Sequence, residues 1–189
     1  MNIEKIIRVF SISIFTLFLI NFSSFAQTIG VKGGVNVSTL VGKDCDDLEM
    51  RAGYYFGVMT QMDIISKLSF APELLFSTQG ANVKDKDEKL ILSYINVPMM
   101  FRFTPISLLS VEAGPQVGLN LRSKVKEDGV SSNLATDTYN IFDVGLGVGA
   151  TVDLGLFKIG ARYVNGLTNV LKDNVNKNSV IQIGVSVGF

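Results

Sequence analysis

The chain has 189 residues, enough for one domain with a sizeable core, and 47% of them are hydrophobic. Its 17 basic and 17 acidic residues balance, which argues against a nucleic-acid partner or a strongly acidic one. Histidine is absent, which excludes histidine as a catalytic base, and the single cysteine, Cys45, excludes a disulfide within this sequence.

The first predicted element is a cleavable signal peptide over residues 1–26. Two basic residues precede an apolar run at residues 9–20, and Ser24-Phe25-Ala26 forms a small-x-small cleavage site. The alternative is a membrane anchor, but a transmembrane helix needs about 20 apolar residues, and this run is shorter. We therefore predict a mature chain of residues 27–189, with 15 basic and 16 acidic residues and a net charge of −1.

Eight segments then follow in which apolar residues alternate with polar or small ones, as in a strand with one apolar face. The alternation is clear at the end of the chain, where Ile181, Ile183, Val185 and Val187 alternate with Gln182, Gly184, Ser186 and Gly188. The predicted strands cover residues 28–38, 52–63, 68–79, 91–104, 108–122, 139–154, 157–164 and 181–189.

The apolar faces of these segments carry no charge. An Arg or Lys that faces the middle of a bilayer costs about 2–4 kcal/mol, so we predict that the apolar faces meet lipid and the charged faces line an interior. The connections after strands 1, 3, 5 and 7 are long and polar, and the others are short, as for outer loops and periplasmic turns. The sequence therefore predicts an all-β fold, an eight-stranded antiparallel up-and-down transmembrane β-barrel.

Prolines and glycines interrupt the alternation. The prolines within predicted strands are Pro72, Pro98 and Pro115. Because proline removes a hydrogen bond from the ladder, they predict a bulge or a strand end nearby. Gly145, Gly147 and Gly149 lack the spacing of a nucleotide-binding loop, and we interpret them as room for larger inner residues such as Arg162.

Short motifs occur in order along the mature chain: GVKGGVN at 30–36, GYYFGV at 53–58, PELLFS at 72–77, YINVP at 94–98, EAGPQVG at 112–118, FDVG at 142–145 and ARY at 161–163. In these motifs the chain resembles the PorT-like, or porin-family, outer-membrane β-barrel proteins of the Bacteroidetes. The resemblance implies a small barrel in the cell outer membrane. It implies no activity, because porin is largely a label of fold in that family.

Charged residues on the predicted inner faces form the candidate site. They are Lys32, Glu73, Arg102, Glu112, Arg122, Asp143, Lys158 and Arg162. An eight-stranded barrel is just wide enough for side chains to fill it, so inner charges must pair or keep water. The preferred interpretation is a structural ion-pair network, and the alternative is a narrow polar path for water or ions.

We predict no catalytic site, no cofactor and no metal. No nucleophile stands beside a base in a recognisable spacing. Asp44, Asp46, Asp47 and Glu49 offer oxygen ligands for calcium but lack the spacing of an EF-hand. We interpret them as a solvated outer loop.

The predicted function is a non-enzymatic scaffold in contact with outer-membrane lipid, whose four outer loops contact an envelope or extracellular protein. The first alternative is a small porin-like channel for water, ions or small solutes through the polar lumen. The second is an exported soluble ligand-binding barrel, which would bury its apolar faces and expose its charges. No nucleic-acid partner is expected.

Overall fold

The computed structural model describes residues 27–43, 45, 47–86, 88–127, 130–133, 139–171 and 176–189. The predicted signal peptide lies outside these ranges, as do Asp44 and Asp46 of the acidic loop. No helix among the described residues is long and apolar enough to cross a membrane.

Eight antiparallel strands close into a barrel, and one short strand extends a hairpin. The strands are β1 (Gln27–Gly42), β2 (Leu48–Ile65), β3 (Leu68–Val83), β4 (Glu88–Ile106), β5 (Leu109–Glu127), β6 (Val130–Asn133), β7 (Phe142–Asp153), β8 (Lys158–Gly166) and β9 (Asn176–Gly188). Consecutive barrel strands pair with each other, and β1 also pairs with β9, which closes the ring. The short β6 pairs with the outer end of β5. The predicted fold class is confirmed.

Most strands extend further at their outer ends than the alternation predicted, whereas β7 begins at Phe142, three residues after its predicted start. The strands β1, β3 and β5 end at Gly42, Val83 and Glu127, four or five residues beyond their predicted ends. The connections that follow β1 and β3 shrink to residues 43–47 and 84–87. Beyond the lipid a strand needs no apolar face, so the alternation stops while the backbone ladder continues.

The strand prolines do not coincide with bulges, so that expectation was wrong. The β3–β4 pairs run from Pro72↔Met99 to Leu75↔Asn96 without a change of register. The β4–β5 pairs likewise keep one register on either side of Pro115. Ladder pairs on both sides of each proline hold the strands in alignment despite the missing donor.

The outside of the barrel is apolar and the inside is polar. Outward side chains such as Phe56, Val148 and Ile183 are about half exposed, at 57%, 55% and 48%. Inward side chains such as Asn36 and Gln182 are buried, at 0% and 2%. A soluble barrel has the opposite arrangement, so the second alternative, an exported soluble ligand-binding barrel, is wrong.

A lysine in the middle of this apolar belt should destabilise the barrel according to its depth. We expect Val148→Lys, halfway along β7, to lower the free energy of unfolding by about 2–4 kcal/mol. Val152→Lys, one residue before the end of the same strand, should cost only about 0–1 kcal/mol, because the ammonium reaches water. Urea titration in liposomes, with the folded fraction read from gel mobility, measures both values. Equal losses would contradict the assignment of this belt to lipid.

Candidate functional site

Large side chains fill the barrel interior opposite glycines. Met100 and Arg162 are buried beside Gly147, where an added Cβ would lie 2.7 Å from Met100 Cε and 3.5 Å from Arg162 Cδ. Tyr55 is buried in the same way, and a Cβ on Gly184 would collide with its hydroxyl. Gly147 therefore leaves room for a larger inner side chain, as the sequence indicated, but the residue that needs this room is Met100, because the distance to Arg162 is an ordinary contact.

Five of the eight candidate charges form one buried cluster in the periplasmic half of the barrel, the half with the short turns. Arg162 Nη2 lies 2.7 Å from Glu73 Oε1 and 2.6 Å from Glu112 Oε1. Lys32 Nζ lies 3.1 Å from Glu73 Oε1. Arg102 Nη2 lies 2.8 Å from Glu112 Oε2. We call these five residues the charge network.

Strand register explains how these residues meet. Arg102 and Glu112 are direct partners across the β4–β5 ladder. Glu112 on β5 and Arg162 on β8 are both ladder partners of Gly149, on the strand β7 between them. Because Gly149 has no side chain, the side chains of Glu112 and Arg162 can approach each other across it. Glu73, in contrast, lies 89 residues before Arg162 and reaches it across the lumen. These contacts require the barrel to be closed.

Every carboxylate oxygen of the charge network accepts a hydrogen bond from a cation. Arg162 forms a two-bond contact with Glu73, at 2.7 and 2.8 Å, and both Nε and Nη2 donate to Glu112 Oε1. Arg102 donates through Nε and Nη2 to Glu112 Oε2 and through Nη1 to Gln61. The two carboxylates are thus engaged in charge-assisted hydrogen bonds, an arrangement suited to holding strands together rather than to binding a metal or moving a proton.

Two further candidate charges lie apart from the charge network. Asp143 accepts hydrogen bonds from Thr168 Oγ1 at 2.7 Å and from Asn178 Nδ2 at 2.8 Å, in the outer half. Lys158 pairs with Asp153 at 3.1 Å beside the turn between β7 and β8, where both side chains are about 30% exposed. The positions of these residues along their strands separate them from the cluster.

Arg122 lies on the outside of the barrel, so its expected place in the lumen was wrong. Tyr94 pairs with Asn120, whereas the preceding Ser93 pairs with Arg122. Leu121 is therefore an extra residue, a β-bulge that turns every later side chain of β5 to the opposite face. The alternation gave no sign of this change, because Leu119 and Leu121 continue the apolar pattern up to the bulge.

The sequence analysis missed a layer of uncharged polar residues in the outer half of the lumen. Asn36 Nδ2 donates to Ser77 Oγ at 2.8 Å, and Gln182 Nε2 donates to Asn36 Oδ1 at 3.2 Å. Asn178 Nδ2 donates to the hydroxyl of Tyr94 at 3.2 Å. These residues occupy inner positions of the strand alternation, and that placement could have predicted the polar layer from the sequence.

Apolar side chains form a buried cluster inside the outer end of the barrel. The cluster consists of Leu40, Ala81, Leu92, Tyr94 and Val170, each no more than 3% exposed. We call it the outer plug. Val170 comes from the β8–β9 connection, where its carbonyl accepts the Asn140 N–H and its own N–H donates to Asn176. The plug was not foreseen, because inward leucines at strand ends do not differ in sequence from lipid-facing ones.

Comparison with known proteins agrees with this architecture. The family model described as outer membrane protein beta-barrel domain matches residues 25–172. Neisserial surface protein A aligns with a TM-score of 0.58 and 18% identity, over 85% of this chain and 97% of that one. Ail, the attachment invasion locus protein of Yersinia pestis, aligns with a TM-score of 0.53 and 15% identity, over 86% and 98%. No curated protein matches the chain. At these identities the structural likeness concerns the fold.

Proposed function

The chain belongs to the family of outer-membrane proteins with a β-barrel domain, and we propose that it serves there as a non-conducting, non-enzymatic scaffold. In this proposal its outer loops bind a protein of the envelope or the exterior. The closer resemblance to the PorT-like proteins of the Bacteroidetes, and export by the signal peptide, belong to the same proposal. The observation that carries the proposal is that side chains fill the lumen at two heights along the barrel axis, which we call its two levels.

The charge network is the first of these levels. Its side chains come from β1, β3, β4, β5 and β8, which together surround much of the lumen. Each of the five charged side chains is 10% exposed or less. An ion that crossed this level would have to separate close ion pairs in a site with little water, which is costly.

The outer plug is the second level and differs in chemistry. It contributes buried apolar side chains where a conducting lumen would present polar ones. Tyr94 links this level to the polar layer below, through its hydroxyl and Asn178. Ions would therefore meet an ionic barrier in the periplasmic half and an apolar barrier at the outer end.

The outer end also presents ordered backbone on which a partner can bind. Pairing of β5 with β7 ends at Leu119↔Phe142, and beyond that point β5 pairs with β6, from Lys124↔Asn133 to Glu127↔Val130. This hairpin extends one wall of the barrel. Ail, which has the same fold, is named for attachment and invasion, which is compatible with a surface role for outer loops.

Planar-bilayer recording tests the proposal. We expect the refolded mature chain, residues 27–189, to give no conductance steps, because both levels of the lumen are filled. Heat-dependent gel mobility establishes beforehand that the inserted protein is folded, and a general porin in the same membranes shows that the assay detects a pore. Reproducible steps that change in ion selectivity with Glu112→Gln would overturn the proposal in favour of a channel.

A further inference from the structure

Polar side chains lie together on the outward face of β8 and β9, two of them at positions where the alternation predicted a connection. Asn165 is exposed and Ser179 is half-buried, and these two residues are direct ladder partners. The hydroxyl of Tyr163, the preceding outward residue of β8, lies 3.2 Å from Ser179 Oγ and 3.5 Å from Asn165 Oδ1. We call Tyr163, Asn165 and Ser179 the polar patch.

The register of the barrel gives the relative depth of each outward residue in the membrane. Successive ladder partners lead from Gln27 once around the ring, through Ala113 and Tyr163, to Val37, which lies ten residues further out on the same strand. At about 3.3 Å per residue, this shift corresponds to a strand tilt of roughly 40°. Each step from one strand to the next, in chain order, therefore rises by about 3 Å toward the outside.

The polar patch lies within the apolar belt. Asn165 pairs with Leu146, which stands nearer the periplasm than Phe142 on the same strand, β7. With the strand tilt and the rise from β7 to β8, Asn165 lies about 7 Å deeper in the membrane than Phe142 and about 5 Å deeper than Leu167. Phe142 and Leu167 are apolar and exposed, at 66% and 46%. On the periplasmic side the patch is followed by Ile181, which is also exposed, so lipid-facing apolar side chains border the patch above and below.

Polar groups at this depth need a partner, because hydrocarbon chains neither donate nor accept hydrogen bonds. The hydroxyls of Tyr163 and Ser179 satisfy each other in part. Asn165 differs, because none of the residues that the structure describes accepts a hydrogen bond from its Nδ2 atom. The patch therefore presents amide donors on the lipid-facing side of the barrel, where another protein in the membrane can accept them.

We propose that the polar patch is the contact between two copies of this chain in the membrane. Copies that insert in one direction are related by a twofold axis parallel to the membrane normal, and this symmetry places each residue opposite residues at its own depth. Asn165 then meets its counterpart in the second copy. An amide is self-complementary, because it carries N–H donors and a carbonyl acceptor, so the two copies exchange a pair of hydrogen bonds.

The surroundings of the polar patch suit the same contact. Leu146 and Ile181 are exposed apolar neighbours of the patch, at 51% and 40%, and would pack against the second copy around the central hydrogen bonds. A different membrane protein would need a polar group at this particular depth, whereas symmetry supplies one from the chain itself. The patch faces away from the lumen, so the proposal is independent of conductance.

Energy transfer between labelled copies tests the proposal. The mature chain, residues 27–189, has one cysteine, Cys45, in the connection between β1 and β2, so donor and acceptor dyes attach at one place. The protein is refolded from one side into preformed phosphatidylcholine liposomes, and energy transfer is followed as the protein-to-lipid ratio is lowered. We expect a saturable dimer for the wild type. Asn165→Leu should weaken dimerisation roughly tenfold, because the pair of hydrogen bonds between the copies is lost.

Two further variants serve as controls. Asn165→Gln keeps the donors and the acceptor and should restore dimerisation. Thr60→Val removes a hydroxyl from the outward face of β2, three strands from β8 around the ring, and should dimerise as the wild type does. Gel mobility establishes folding, and Asn165→Leu should fold because leucine suits a lipid-facing position. Equal dimerisation by the wild type and Asn165→Leu would overturn the proposal. A wild type that stays monomeric would also overturn it and assign the patch to a different membrane protein.

Discussion

Replacement of Arg162 by methionine should lower the free energy of unfolding by about 3–5 kcal/mol, because it leaves buried carboxylates without their central partner. Arg162 makes four hydrogen bonds, two to Glu73 and two to Glu112. Methionine fills a similar volume but neutralises nothing. Lys32 would then be the remaining ion-pair partner of Glu73, and Arg102 that of Glu112. Urea titration of the refolded protein in liposomes measures the loss.

Two companion variants separate burial from charge. Lys158→Met breaks the Lys158–Asp153 ion pair, which lies partly in water, and should cost no more than about 1 kcal/mol. Arg162→Lys keeps the charge but loses the two-bond contact with Glu73, so its loss should fall between those of the two methionine variants. If Arg162→Met were as stable as Lys158→Met, the charge network would not hold the barrel together.

Replacement of Tyr94 by alanine should lower the free energy of unfolding by about 3–5 kcal/mol, the usual cost of removing a large buried aromatic ring. Tyr94 is 1% exposed and belongs to the outer plug. Its ring packs in a closed barrel whose backbone cannot collapse around the cavity. The same liposome titration measures the change.

Tyr94→Phe is the matched control for this variant. It keeps the ring and removes the hydroxyl that accepts the Asn178 hydrogen bond, so the loss should be about 1 kcal/mol. Bilayer recording of Tyr94→Ala provides an independent readout. The variant should stay silent, because the charge network remains intact. Steady conductance would show that the outer plug alone closes the lumen.

The charge network and the outward-facing Arg122 illustrate two uses of charge in one barrel. Lys32, Glu73, Arg102, Glu112 and Arg162 neutralise one another inside, where isolated charges would be costly. Arg122 lies on the outer face of β5, where its side chain is exposed. One inserted residue, Leu121, separates the two uses within a single strand.

The sequence by itself determined the barrel. Alternation with a period of two places apolar side chains on one face, and that rule acts locally, within each strand, so the eight barrel strands and the facing of their membrane-spanning parts follow from the residue order. The alternation of long and short gaps between the predicted strands indicated the up-and-down arrangement, although much of the long gaps after β1 and β3 is strand in the structure. The strand ends differed by a few residues because the ladder continues past the lipid, where no residue type is required.

Only the tertiary structure decided which inner residues meet. Contact between Arg162 and Glu73 depends on the stagger of all intervening strands and on closure of β1 against β9, neither of which is a property of a local segment. The bulge at Leu121 left no mark in the alternation, yet it moved Arg122 from the lumen to the surface. The outer plug likewise required Val170 to fold back from a connection onto leucines of distant strands. Long-range register determined these features, and a single sequence specifies it only through packing of the whole chain.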